Sequence, residues 1–212
     1  MAKRAAPEVN AGSMADIAFL LLIFFLVTTT IEKDKGILRS LPPIEPPNED
    51  EVIIKEKNLF IVLLNRNDQL LVEDEPMEIK DLRQAAIEFL DNGGGKEPDG
   101  RWTCDYCQGK RDAASSDNPD KAIISMQHDR ETSYGKYIAV QNELVAAYNY
   151  LRNREAQRLY GKFYPGEENV YDTMLAEKEK NQFKKDETLN ERIETIKLMY
   201  PLKLSEAEPK KN

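Results

Sequence analysis

One run of thirteen residues, from position 15 to position 27, is apolar except for a single carboxylate, Asp16. A helix needs about 20 residues at about 1.5 Å per residue to cross the hydrocarbon core of a bilayer. The stretch from Ile17 to Ile31 has only fifteen residues, so it reaches that length only when it is extended towards the N-terminus, as far as Asn10. The extension places Asp16 within the membrane region, where an ionisable side chain is costly and by default suggests a functional site. We therefore predict one membrane-spanning helix over residues 13–31 with a functional carboxylate near its start.

Two other interpretations of this run stay open. Ser13 and Asp16 stand three positions apart before an apolar segment, which fits a capping box whose carboxylate accepts hydrogen bonds from first-turn amides. The run also fits the apolar region of a secretory signal peptide, with Lys3 and Arg4 in front of it. No small-residue cleavage site follows, because residues 28–30 are threonines that lead directly into charged residues. This favours a retained anchor.

Charge and composition narrow the class of protein. The 212 residues include 30 Lys and Arg against 38 Asp and Glu, which gives a net charge of −8. An acidic chain without a basic stripe is not typical of a nucleic-acid binder. With one histidine and two cysteines, neither a nucleophile–base pair nor a metal-ligand set can be assembled. We therefore expect no enzyme, no catalytic residue, no metal and no cofactor.

Behind the run the sequence predicts a linker and one folded domain. Residues 32–50 contain four prolines, which favour an extended, polyproline-like chain over a helix. Over residues 51–205, hydrophobic periodicity predicts strands at 52–54, 59–64, 69–72, 121–126 and 201–204, and helices at 78–91, 134–159 and 186–199. Two stretches, near 92–119 and 160–185, look inserted, the first as a long Gly-, Asp- and Ser-rich loop and the second as partly helical. Residues 206–212 are predicted to be a tail.

The order of these elements predicts the fold class. A hairpin is followed by a helix, a strand and a second helix, which suggests an α+β domain with two layers, in which helices pack on one face of a small β-sheet. The whole chain is then a single N-terminal transmembrane helix followed by this domain.

The residues around the apolar run resemble the membrane anchor of the ExbD/TolR family. That anchor has an asparagine, then an aspartate directly before a run of Leu, Ile, Phe and Met, and a Leu-Pro pair shortly outside the membrane. Asn10, Asp16, Leu41 and Pro42 match these positions. Ser13 departs from the pattern, because many members have a proline there.

The resemblance implies that Asp16 is the proton-carrying residue of an inner-membrane motor driven by the proton-motive force. It implies three partners: an ExbB-like multi-helix membrane subunit that forms a ring around the helix, a second copy of the chain as a homodimer, and a TonB-like energy transducer. Leu41 and Pro42 match the segment that contacts the transducer. Residues 1–12 would be cytoplasmic, and the single-pass chain would place its large domain in the periplasm.

The resemblance leaves the exact role open. A TolR-like subunit that serves envelope integrity is one alternative to an ExbD-like subunit that energises transport across the outer membrane. The other is a membrane-tethered periplasmic scaffold or binding protein, in which Asp16 is only a helix cap.

Cys104 and Cys107 lie in the first inserted stretch. In the oxidising periplasm such a pair is expected to form a disulfide. A thioredoxin-type redox site would need a strand before the pair and a helix that begins at the first cysteine. A zinc site would need two more ligands, and of the usual set only His128 is available. We therefore interpret the pair as a candidate structural disulfide and His128 as a loop residue.

Overall fold

The computed structural model describes most of the chain, in three stretches: residues 11–28, 55–181 and 186–207. The predicted linker at 32–50 and the predicted first strand at 52–54 lie outside the described residues. The C-terminal end of the predicted tail, after Ala207, also lies outside them.

The chain divides into two compact units, residues 1–51 and residues 52–212. The first unit contributes one described helix, α1, which extends over Ala11–Thr28. The second unit contains every other described helix and strand. By the combined length and hydropathy expected of a membrane span, none of the helices in the described residues qualifies.

The second unit is built on a five-stranded sheet. Its strands in chain order are β1 Leu59–Leu64, β2 Leu70–Val72, β3 Glu75–Met77, β4 Ile123–His128 and β5 Leu204–Glu206. Across the sheet the order is β3-β2-β1-β4-β5. Strand β2 is antiparallel to β1 and β3, whereas β4 is parallel to β1 and β5. The predicted hairpin of β1 and β2 is confirmed. In its turn the side-chain oxygen of Asn65 accepts hydrogen bonds from the backbone amides of Asn67 and Gln69, both at 2.9 Å.

Two strands differ from the prediction. Strand β3 was not predicted, because it is short and contains Pro76, which has no amide donor and is tolerated only at a sheet edge. It follows β2 through Glu73 and Asp74, whose φ values of 50° and 69° make a tight turn. The last strand was predicted at 201–204 but occupies Leu204–Glu206, because the chain first has to run from the buried Tyr200 to the sheet edge. Strand β5 therefore includes one residue of the predicted tail.

The helices of the second unit form two groups. Their bounds are α2 Ile79–Leu90, α3 Tyr134–Tyr160, α4 Val170–Lys180 and α5 Glu187–Met199. Helices α2 and α3 pack on one face of the sheet, where every second residue of β1, β2 and β4 is buried against them. The mixed α+β prediction is confirmed. Helices α4 and α5 instead pack on the C-terminal half of α3 and form a second, smaller core, which the two-layer prediction did not include.

A buried group of charged residues joins these elements. Asp91, directly after α2, accepts hydrogen bonds from both terminal nitrogens of Arg154 at 2.6 and 2.8 Å, and from the Tyr200 hydroxyl at 2.7 Å. Glu155 is fully buried and accepts from Arg154 and Arg158 at 3.1 and 2.6 Å. Burial, followed by the charge of Asp91, raises the pKa of Tyr200 far above its usual range, so its hydroxyl remains a donor. The group fixes the end of α2, the C-terminal part of α3 and the segment after α5 to one another.

We expect Arg154→Met to reduce the free energy of unfolding by about 3–5 kcal/mol, because it leaves the buried Asp91 without its cation. It also removes one of the two arginines that pair with Glu155. A matched control is Arg83→Met, which breaks the more exposed ion pair of Arg83 with Glu143 at 2.8 Å and should cost less than about 1 kcal/mol. Urea unfolding of the detergent-solubilised full chain, followed by Trp102 fluorescence, measures both. Equal losses for the two variants would show that the buried group is not a major source of stability.

Candidate functional site: a carboxylate in an apolar helix

Helix α1 is apolar on every side. Each large apolar side chain in it is exposed, from 42% at Ile23 to 76% at Val27. Asp16 is the only ionisable residue in the helix. A helix that is hydrophobic all round belongs in a protein core or in lipid, and so a carboxylate in such a helix stands out as the candidate site.

The position of Asp16 does not fit the interpretation as a helix cap. The amides that lack an acceptor within a helix belong to its first four residues. Asp16 is the sixth residue of α1, and Ser13, which a capping box would place before the helix, lies inside it. The carboxylate is therefore beyond the turn in which a cap acts.

The neighbours of Asp16 on its side of the helix are small or apolar. At 3.6 residues per turn, this face also contains Gly12, Leu20, Ile23 and Val27. Among the described residues, no hydrogen bond or ion pair of the Asp16 side chain is present. A carboxylate on such a face needs partners from water or from another chain.

The end of α1 carries one further polar side chain, the Thr28 hydroxyl. Thr28 donates its hydroxyl hydrogen to the Phe24 carbonyl at 2.7 Å, so it satisfies its own backbone, as threonines near a helix end commonly do. Thr29 and Thr30 lie outside the described residues. So do Leu41 and Pro42, and their contact with an energy transducer stays a prediction.

Cys104 and Cys107 are joined by a disulfide, with a Cα–Cα distance of 5.6 Å. Their residues are only 2% and 4% exposed. Arg111 donates to the carbonyl oxygens of Cys104 and Cys107 at 3.2 and 3.1 Å and so holds the loop around the bond. A reactive thiol pair needs an accessible sulfur. This geometry therefore favours a structural role for the disulfide.

The first inserted stretch, predicted as a long loop, is tightly packed against the end of α2. The side-chain nitrogen of Asn92 donates hydrogen bonds to the backbone carbonyls of Asp112 and Ser116, both at 2.8 Å. Its side-chain oxygen accepts a hydrogen bond from the backbone amide of Asp112 at 2.9 Å. Gly94 lies so close that a Cβ atom there would be 2.0 Å from the Asp112 carbonyl oxygen. The glycines after α2 therefore do more than end a helix, because they make room for the backbone of the insertion.

The far end of the insertion is held by Asp117. Its carboxylate accepts from Lys57 at 2.6 Å and from Asn58 at 3.2 Å, and its amide donates to the Asn58 side chain at 2.8 Å. Burial alone would raise the pKa of Asp117. The hydrogen bonds from Lys57 and Asn58, together with the charges of Lys57 and Lys55, outweigh burial and hold this pKa below its usual value.

His128, interpreted from the sequence as a loop residue, is the last residue of β4. Its Nδ1 lies 3.7 Å from Glu206 Oε1, and its ring centroid is 4.9 Å from that of Tyr137. Across the described ranges, no three or more His, Cys, Asp or Glu residues come together as a metal site would require.

Sequence reasoning identified Asp16 but missed the buried group around Asp91. Asp91 and Tyr200 are 109 residues apart, and nothing in the local pattern of either residue indicates the other. The one available signal was a group of charges within a predicted helix, in which Glu155 lies between Arg154 and Arg158.

Comparison with known proteins gives one finding on the family. The sequence model of the family described as Biopolymer transport protein ExbD/TolR matches residues 2–153. The match includes α1, α2 and β1 to β4 and ends within α3, before α4, α5 and β5. Among curated proteins, no match is found.

We expect Gly94→Ala to destabilise the protein, because its Cβ would overlap the Asp112 carbonyl oxygen. The cost should be about 1–3 kcal/mol, as for other overpacked sites. The control is Gly135→Ala within α3, where an added Cβ would meet no atom within 4 Å. This substitution should stabilise the helix by about 0.5–1 kcal/mol. Thermal unfolding of both variants checks the prediction, and a neutral Gly94→Ala would mean that the insertion is loosely attached.

We expect Asp117→Asn to reduce stability in a pH-dependent way. Because the folded-state pKa of Asp117 is lowered, its contribution is complete above the unfolded-state pKa of about 4 and is lost as the pH falls through the lower folded-state value. The gap in unfolding free energy between wild type and variant should therefore be large at pH 7 and narrow below about pH 4. Urea titrations over this range measure it, and a gap independent of pH would contradict the assignment.

Proposed function

The chain belongs to the ExbD/TolR family of biopolymer transport proteins, and we propose that it is an ExbD-like subunit of an inner-membrane motor driven by the proton-motive force. In this proposal the motor energises TonB-dependent transport across the outer membrane, and Asp16 carries the proton. The observation that carries the proposal is a single carboxylate beyond the first turn of a helix that is otherwise apolar and exposed all round.

The proposal places residues 13–31 in the membrane, with residues 1–12 in the cytoplasm and the second unit in the periplasm. As a helix, this proposed span of residues 13–31 would be about 28 Å long, close to the hydrocarbon thickness of about 30 Å. Transfer of its exposed apolar side chains from water to lipid is favourable. Asp16 then lies near the cytoplasmic side of the hydrocarbon region.

Asp16 also argues for partners. A lone helix cannot keep a carboxylate away from lipid, because every side of it faces the hydrocarbon. We therefore propose an ExbB-like ring of helices around α1, with a second copy of α1 beside it. These are the partners that would supply the water or polar groups that α1 itself does not offer.

The chemistry assigned to Asp16 is reversible protonation. Its carboxylate accepts a proton from one side of the membrane and becomes neutral, which removes the cost of exposing a charge to apolar surroundings. The neutral helix can move within the ring, and the proton then leaves to the other side. One elementary charge that crosses about 100 mV releases about 2.3 kcal/mol, so several protons would drive each cycle of work.

The second unit would pass the motion on to a TonB-like transducer. The buried group around Asp91 and the packed insertion support this role, because they join the elements of the unit into a body that can transmit force without local unfolding. Leu41 and Pro42 are proposed to contact the transducer. A TolR-like subunit in envelope integrity is the alternative, because the family match is common to both roles.

We expect Asp16→Asn to abolish proton-motive-force-dependent uptake of an outer-membrane substrate, because asparagine keeps the size and polarity of aspartate but cannot carry a proton. Asp16→Glu keeps the ionisable group and should retain part of the activity. The matched control is Asp105→Asn, the same change at an exposed position of the second unit, which should leave uptake unchanged. Uptake is measured in cells with equal amounts of membrane-inserted protein, verified by immunoblot.

The same strains distinguish the alternatives. Loss of uptake with an intact envelope supports the ExbD-like role. Normal uptake with increased detergent sensitivity in Asp16→Asn cells would instead support the TolR-like role. Unchanged uptake and an unchanged envelope would overturn the motor and leave a tethered scaffold.

A further inference from the structure

The turn closed by the Cys104–Cys107 disulfide contacts the C-terminal end of the second unit. Tyr106, between the two cysteines, donates its hydroxyl hydrogen to the Met199 carbonyl at 2.8 Å. Its ring packs edge-on against that of Tyr200, with 5.6 Å between the two centroids. Burial raises the pKa of Tyr106 to about 12, so its hydroxyl remains a donor at neutral pH. We call residues 199–206, which follow α5 and include β5, the C-terminal segment. The disulfide turn therefore carries the side chain that binds this segment.

The disulfide has little room around it. A Cβ atom added at Gly93 would be 2.6 Å from the Cβ of Cys107 and 3.6 Å from that of Cys104, and both cysteines are buried. Two separate thiols occupy more space than one disulfide bond, and a close-packed site accommodates extra volume only by moving its neighbours. We therefore expect reduction to displace the turn, and Tyr106 with it, from the C-terminal segment.

The packed turn in its turn protects the disulfide. Thiol–disulfide exchange requires that an attacking thiolate reach one of the two sulfurs. With Cys104 and Cys107 only 2% and 4% exposed, a thiolate reaches them after the turn has moved away from its neighbours. Oxidation of the pair and attachment of the C-terminal segment are then linked equilibria, and each favours the other by the same factor.

The C-terminal segment can be released while most of the larger core stays intact. Among the described residues, Tyr200 is the only buried member of that core that follows the family match, which ends at residue 153. Strand β5 lies at an edge of the sheet and pairs with β4 alone, through three residues. Local opening of an edge element costs less free energy than global unfolding. Loss of the contacts with Tyr106 can therefore open this end of the unit by itself.

We propose that oxidation of Cys104 and Cys107 attaches the C-terminal segment, so that the second unit is closed when the pair is oxidised and open at this end when it is reduced. Oxidation forms the bond between the two Sγ atoms and cleaves the disulfide of an oxidised thiol–disulfide oxidoreductase. The sulfurs of that enzyme take up both electrons and both protons and become thiols. The proposal rests on the proposed function for the oxidising compartment, the periplasm. The chain then completes its second unit only after export.

Hydrogen exchange of the detergent-solubilised full chain, measured by mass spectrometry, tests the proposal. The protein is compared in its oxidised form and after reduction and refolding with the reductant retained. We expect amides of the C-terminal segment to exchange at least about tenfold faster in the reduced form, while those of β1 change less than about twofold. The Cys104→Ala/Cys107→Ala variant, which has no disulfide to reduce, controls for the reductant and should not respond to it. Unchanged exchange in the segment, or equal acceleration in β1, would overturn the proposal.

The linkage is also tested from the other side, by loosening the C-terminal segment without changing the cysteines. Arg152, buried on α3, donates from Nε and Nη2 to the Tyr200 carbonyl at 3.0 and 2.7 Å. Arg152→Met should therefore increase the rate at which dithiothreitol reduces the disulfide at least about fivefold. Arg83→Met, at an exposed ion pair of α2, is the matched control and should be reduced at the wild-type rate.

A wild-type rate of reduction in Arg152→Met would show that segment and disulfide are not coupled, and would overturn the proposal. Retained protection of the β1 amides verifies that the variant is folded. If that protection is lost, Tyr106→Phe replaces it, because this change removes only the hydrogen bond to Met199. It should likewise accelerate reduction, and a wild-type rate would again count against the coupling.

These measurements are independent of the test of Asp16. Redox-dependent exchange in the C-terminal segment, together with normal transport in Asp16→Asn cells, would keep the redox-dependent closure and overturn the motor. Loss of transport in Asp16→Asn cells, together with exchange that does not depend on oxidation, would keep the motor and overturn the redox-dependent closure.

Discussion

The second unit depends on the charge balance around Asp91. Its carboxylate is buried, and Arg154 and Tyr200 satisfy it from two different parts of the chain. An uncompensated charge in that place would be strongly destabilising, so the end of α2, the C-terminal part of α3 and the segment after α5 have to come together at once. The first inserted stretch also contacts this group, because the backbone amide of Gln108 donates a hydrogen bond to Asp91 at 3.2 Å.

This arrangement explains how the parts of the chain outside the family match become integral to the fold. The match ends at residue 153, yet Arg154 and Tyr200 follow it and bind Asp91 within it. The last strand also pairs with β4, a strand within the family match, and forms one edge of the sheet. The C-terminal helices α4 and α5 pack on α3, and the chain on either side of them is attached to the part of the fold within the family match, through Arg154 before them and through Tyr200 and β5 after them. They are therefore part of the second unit and not a separate appendage.

The sequence predicted what depends on local pattern. Periodicity located α2, α3 and α5 and the hairpin of β1 and β2, and the lone carboxylate in an apolar run identified Asp16 as the candidate site. Local sequence pattern could not predict β3, whose three residues include a proline, or the packing of Gly94 against Asp112. Those features depend on contacts between distant residues, and a stretch rich in Gly, Asp and Ser has the same composition whether it is an open loop or a packed one.

The composition of α1 has a mechanical consequence. With apolar residues on every side, the helix has no hydrophobic preference for one angle of rotation about its own axis, so the direction of Asp16 is the one feature that distinguishes its sides. When that carboxylate is charged, it selects a single azimuth towards polar surroundings. In the proposed motor, neutralising the carboxylate would remove this selection, and the load on the chain, not the helix itself, would then set the angular position of α1.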